Sequence, residues 1–233
     1  AASDVYKRQE ENVSGESVHF VVAASRENFD NTRTVLTENN NGGLDCVWSE
    51  GDRILVTGEN GKLKGILSLK NYIGDDRAKA YFEGELYGIS NGKVTLNYYY
   101  LGTELSKISD PDQLLSLVSP YTHSYAEQDG KFESLTDYDI LSAQATTIID
   151  GRQSYVEMTL PRRISAAHFT LNGLPEGFQG DVVISGEGLM NKVSLPLTAH
   201  KVETSQDPAG SVITMKNVGN DFYMISVSYT HLT

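Results

Sequence analysis

Apolar and polar positions alternate with a period of two along much of this chain, the signature of strands that bury one face. The clearest case spans residues 78–86, where Ala80, Phe82, Gly84 and Leu86 fall on one side and Tyr81, Glu83 and Glu85 on the other. Residues 18–24 are β-branched, aromatic and short, which suits a pleated surface, and Val18, Phe20, Val22 and Ala24 share a side. Further strands are predicted at 32–37, 93–101, 137–147 and 155–160, the last with Val156, Met158 and Leu160 set against Glu157 and Thr159. Shorter ones follow at 166–171, 181–185, 192–199, 211–215 and 222–227. Asn60-Gly61, Asn91-Gly92 and Asn172-Gly173 mark turns. Residues 46–56 read as strand, tight turn, strand: Gly51 can take a positive φ, Asp52 can bond its own backbone two residues on, and Trp48 is a large core anchor. One helix is predicted at 110–118, capped by Asp110, with Pro111 in its first position and Pro120 as its stop.

Many short strands and a single helix predict an all-β fold of sandwich type. The polar turn Asp150-Gly151-Arg152-Gln153 reads as a boundary, giving one unit at 10–151 and a second at 152–227. Both ends, residues 1–9 and 228–233, read as translated sequencing-adapter tails, so the chain is expected to be an internal fragment.

Composition narrows the function classes. The 233 residues are 39% hydrophobic, and no run approaches the ~20 apolar residues of a transmembrane helix. A net charge of −12 argues against nucleic acid as a partner. One cysteine, Cys46, excludes an internal disulfide and any zinc site built on paired cysteines. His19, His123, His168, His200 and His231 show no metal-ligand spacing. There is no nucleophile elbow and no phosphate loop, and the carboxylates are scattered. No catalytic residue, cofactor or metal is therefore assigned, and an enzyme is not expected. Tyr98, Tyr99 and Tyr100 have two readings: an aromatic platform for a sugar or a partner, joined by Trp48, or a strand with two rings on one side and one on the other.

Several segments in order resemble the fimbrillins of Bacteroidales, a superfamily of pilins and tip adhesins. They are Arg33-Thr34 before a strand, Val47-Trp48-Ser49-x-Gly51-Asp52-x-Ile54-x-Val56, Ala80-x-Phe82-x-Gly84-x-Leu86, and Tyr98-Tyr99-Tyr100. Asp137-Tyr138-Asp139-Ile140-Leu141-Ser142-Ala143 is similar to a later family strand, with Ile140 or Leu141 where Met is usual. The stretch 162–171 is similar to the opening of the family's second domain, except that His168 follows Ala166-Ala167 instead of preceding them. The match spans roughly 18–200.

The resemblance implies two transthyretin-like β-sandwich domains, the second truncated. It implies export as a lipoprotein with its anchor upstream of this fragment, display on the outer membrane, and polymerisation with other fimbrial subunits, with a host glycan or protein as ligand. It also implies that an Arg-directed protease removes the first strand, Val18, Phe20, Val22 and Ala24 lining the exchange. Arg26 and Arg33 are the processing candidates, in a polar connection of the kind proteases nick; Arg26 is favoured because Arg33 adjoins the next strand. The alternative is an extracellular carbohydrate-binding sandwich on the Tyr98–Tyr100 platform. A weaker third is an accessory domain of an extracellular hydrolase.

Overall fold

A computed structural model describes residues 17–27, 47–75, 77–103, 121–151, 153–196, 203–208 and 210–227. The two tails, Arg33 and the strand expected at 32–37, Cys46, the helix expected at 110–118, His200 and His231 lie outside the described residues.

The first half carries β1 (Val18–Arg26), β2 (Arg53–Gly58), β3 (Leu63–Tyr72), β4 (Lys79–Leu86) and β5 (Gly92–Tyr100). Next come β6 (Tyr121–Ser124), β7 (Glu127–Gln128), a short helix α1 (Phe132–Asp137), β8 (Leu141–Ile149) and β9 (Gln153–Leu160). The rest holds β10 (Ser165–Thr170), β11 (Gly180–Ser185), β12 (Lys192–Leu195), β13 (Glu203–Ser205), β14 (Val212–Val218) and β15 (Asp221–Ser226). The fold is all-β, with α1 as a minor interruption.

A seven-stranded sheet in the order β8-β5-β2-β3-β4-β1-β9 dominates. Its core takes residues from every one of its strands, among them Phe20, Ile54, Leu67, Phe82, Tyr98, Leu141 and Leu160, and none from β10–β15. A sheet that lines its own core on all sides must curl toward closure. The two edge strands meet at one end, where Ser142 N donates to Pro161 O at 3.0 Å and Arg163 N to Ile140 O at 2.8 Å. Trp48 plugs this core, 1% exposed, with its ring edge-on to Phe82 at 4.8 Å and Tyr100 at 5.2 Å.

Two local features make the curl feasible. Gly51 takes φ +90° in the turn after Trp48, which an L side chain resists. The Asp52 carboxylate closes that turn backwards, accepting from Ser49 N at 2.8 Å, rather than forwards as expected. Trp48 itself precedes the turn and is not in a strand. Gly84 lies where β3 and β4 approach closely: a Cβ there would be driven into the Ile66 carbonyl oxygen.

The polar turn at Gly151 does not separate the sheets. β9, which follows it, joins β1, while β6 and β7, which precede it, pair with β12 and β14. Three smaller sheets complete the described residues: β10-β15, β11-β14-β7 and β13-β12-β6. The first two enclose a core of Ile213, Met215, Val218, Phe222 and Met224. A junction core joins Leu55 and Tyr99, on the other face of the large sheet, to Tyr121, Tyr125, Leu135, Ile164, Val193, Leu195 and Ile225.

Candidate functional site

β1 is an interior strand of the large sheet, with β4 on one side and β9 on the other. It pairs antiparallel with β4 from Val18↔Leu86 to Ser25↔Lys79, and parallel with β9 from His19↔Gln153 to Arg26↔Leu160. Val18 is 4% exposed, and Phe20, Val22 and Ala24 are fully buried, so the alternate side chains fill pockets of the first core. On the outer face His19 Nδ1 lies 2.9 Å from Glu85 Oε1, in solvent contact. Neither flanking strand is a neighbour of β1 in sequence. No tight turn therefore ties it to either flank, and against both it is held by hydrogen bonding and burial.

The C-terminal end of β1 carries the strongest polar grip. Arg26 was expected in an exposed connection, open to a protease. It is instead the last residue of the strand, and its side chain is fully buried. Its Nη2 donates to Asp139 Oδ2 at 2.9 Å and its Nη1 to Val47 O at 3.0 Å. The guanidinium carbon sits 4.7 Å from the centre of the Tyr100 ring and 5.2 Å from that of Trp48, a cation–π arrangement. One turn of strand earlier, Trp48 Nε1 donates to Ala24 O at 3.1 Å. The expectation failed because it treated Arg26 by its local sequence, whereas a carboxylate far along the chain draws it inside.

Asp139 holds two cations. Arg162 Nε donates to its Oδ1 at 2.9 Å and Arg162 Nη2 to its Oδ2 at 2.7 Å. Burial raises the Asp139 pKa, but the charges and hydrogen bonds of Arg162 and Arg26 outweigh that and hold it below the usual carboxylate range. Glu27 in turn accepts from the Arg162 backbone and, through its own carbonyl, from Arg162 Nη1. The end of β1, the start of β8 and the end of β9 are thus tied at one carboxylate. Single-sequence reading missed Asp139 and Arg162, since nothing local marks a buried ion pair.

The aromatic platform is overturned. Tyr98, Tyr99 and Tyr100 are fully buried and Trp48 is 1% exposed, so none presents a ring to a ligand. The two-and-one arrangement holds, but both sides are interior: Tyr98 and Tyr100 face the first core and Tyr99 the junction. The continuous apolar run Leu96 to Leu101, broken only by Asn97, is the signal of a strand covered on both faces. Tyr100 Oη donates to Asp52 Oδ1 at 3.3 Å. The Tyr98 hydroxyl has no hydrogen-bond partner among the described residues, and burial pushes its pKa far up. Among the described residues, no three His, Cys, Asp or Glu side chains converge as a metal site, and no helix is long and apolar enough to cross a membrane.

No protein-family model and no curated protein matches the sequence. Among solved structures, a "putative cell adhesion protein" from Bacteroides uniformis is 14% identical, with a TM-score of 0.53 over 91% of this chain and 75% of that one. Another so described, from Bacteroides ovatus, gives 14% and 0.49 over 92% and 78%. A fimbrial assembly protein from Parabacteroides distasonis gives 12% and 0.39 over 92% and 82%. The likeness to the Bacteroides uniformis structure covers nearly the whole chain, and what it establishes is a shared all-β fold.

Proposed function

We propose that this chain is a structural or adhesive subunit of a bacterial cell-surface fimbrium, not an enzyme, and that it assembles by exchange of β1. The observation that carries this reading is the slot of β1: an interior position, paired on both flanks with strands distant in sequence and lined by pockets for alternate side chains. Loss of such a strand uncovers two rows of backbone donors and acceptors and an apolar groove, a strong template for another chain. A cut between Glu27 and Val47 would leave β1 held without a covalent link on that side. Arg33 is the single basic residue in that stretch. Arg26 is shielded, so Arg33 becomes the processing candidate. The shared fold with a protein described as a cell adhesion protein supports the same reading.

The proposal extends to export as an outer-membrane lipoprotein anchored upstream, to other fimbrial subunits as partners, and to a host glycan or protein as the adhesive ligand. It includes two sandwich units, one inside the curled sheet and one among the smaller sheets.

Limited digestion of the full chain with an Arg-specific protease tests it, followed by light scattering after gel filtration. Cleavage should be lost in Arg33→Ala and kept in Arg26→Ala, and the cut protein should release β1 and take up an added strand peptide in its place. Cut protein that keeps β1 and takes up no peptide sinks the reading.

A further inference from the structure

Resting on that reading, we propose that the slot selects its incoming strand by a guanidinium: the donor must be an extended segment with alternating apolar residues, a small residue at the Ala24 position and an arginine at the Arg26 position. The argument starts from what β1 covers. Were it withdrawn, the end of the slot would present Asp139 Oδ2, the Val47 carbonyl and the faces of Trp48 and Tyr100, the four groups that Arg26 now satisfies. All are oriented for a cation. With β1 seated, Trp48, Asp139 and Tyr100 are at most 1% exposed, so a donor strand that fills the slot in the same way shuts out water and must itself supply their partner.

The geometry asks for arginine rather than any positive charge. Two different guanidinium nitrogens reach two acceptors, the Val47 carbonyl and the Asp139 carboxylate, while the planar group lies between two rings. A lysine ammonium is a point donor that cannot span both acceptors and cover the rings together. An aliphatic end would leave the Val47 carbonyl unpaired and one Asp139 lone pair unused, since Arg162 already occupies the rest of that carboxylate. Two residues earlier the requirement is of another kind. Ala24 is fully buried, and its carbonyl receives the Trp48 indole N–H. Any backbone supplies that acceptor, but a side chain larger than Ala there overpacks the core. Register is set as well, because the arginine pocket lies opposite Leu160 of β9 and one slip of the pairing carries every side chain to the wrong face.

The test uses the full chain after Arg-specific digestion and fluorescent peptides copying residues 17–27. The unaltered peptide should enter the slot. Copies with Arg26→Ala or with the neutral isostere citrulline at that position should bind at least about tenfold more weakly, with Arg26→Lys between. An Ala24→Leu copy should also lose about tenfold. Equal binding of the arginine, citrulline and alanine peptides overturns the guanidinium code and leaves strand exchange standing. If no peptide enters, strand exchange itself is refuted, and the code falls with it.

Discussion

The two ends of this molecule are packed by different means. The first core is wrapped by one sheet of seven strands, with side chains such as Phe20, Ile54, Val56, Phe82 and Leu96 wholly removed from water. The other core is roofed by sheets of two and three strands. There the fully buried set is smaller, and Phe169, Leu171, Val182, Ile184 and Leu189 around it are only partly buried. Apolar burial is the main stabilising term, so stability is concentrated in the region that holds β1. That has a functional logic. Under the proposed exchange, the slot of β1 must be deep enough for a replacement strand to bind without a covalent link.

The largest effect expected is Trp48→Ala, at about 3–5 kcal/mol in denaturant unfolding. Phe169→Ala in the other core should cost about 1–2 kcal/mol; equal costs would erase the contrast. Asp139→Asn should follow, at about 3 kcal/mol near neutral pH, because two buried cations lose their counter-charge. The sign with pH is fixed by the Asp139 carboxyl lying below its ordinary 3.8 when folded. Its contribution is complete above that value and is lost as pH falls through the lower folded one. The variant should therefore show a flatter acid limb than the parent.

Tyr98→Phe should move stability the other way, by about 1 kcal/mol, since it removes a buried hydroxyl that has no partner among the described residues. A loss instead would mean that the hydroxyl is satisfied in solution. The smallest effect belongs to the junction. His123 on β6 stacks on Tyr138 at 4.9 Å, and burial lowers its pKa from 6.5. The folded state favours the neutral ring, so stability should decline as pH drops below 6.5, and His123→Gln should remove that slope.

What could be read in advance was what is local. Alternation in β4 and β9, the Asn60-Gly61 turn and the burial of Trp48 follow from neighbouring residues, and the structure agrees with them. Pairing over long distance was not legible. Nothing near Val18 announces a parallel partner at Gln153–Leu160, so Gly151 was read as a boundary although β9, just after it, joins β1. Arg26 was read as exposed because its attraction to Asp139 exists only once the sheet has curled. β6, β7, β13 and α1 are too short to show a period. The tyrosine run misled through an assumption: one face of a strand was taken to be wet, and from Leu96 to Tyr100 β5 has no such face.

The mixed pairing of β1 also governs when the sheet can form. Its antiparallel partner lies some way along the chain, and its parallel partner more than a hundred residues beyond it. Contacts of such separation must overcome a large loop-closure entropy before they return any stabilisation. β2, β3 and β4 pair in sequence order and can assemble early. β1 cannot gain its second flank until β9 has been synthesised and delivered to it. During synthesis β1 thus passes through a stage in which it is paired on one flank at most, and under the proposed exchange that is the interval in which a strand from another molecule competes for its place.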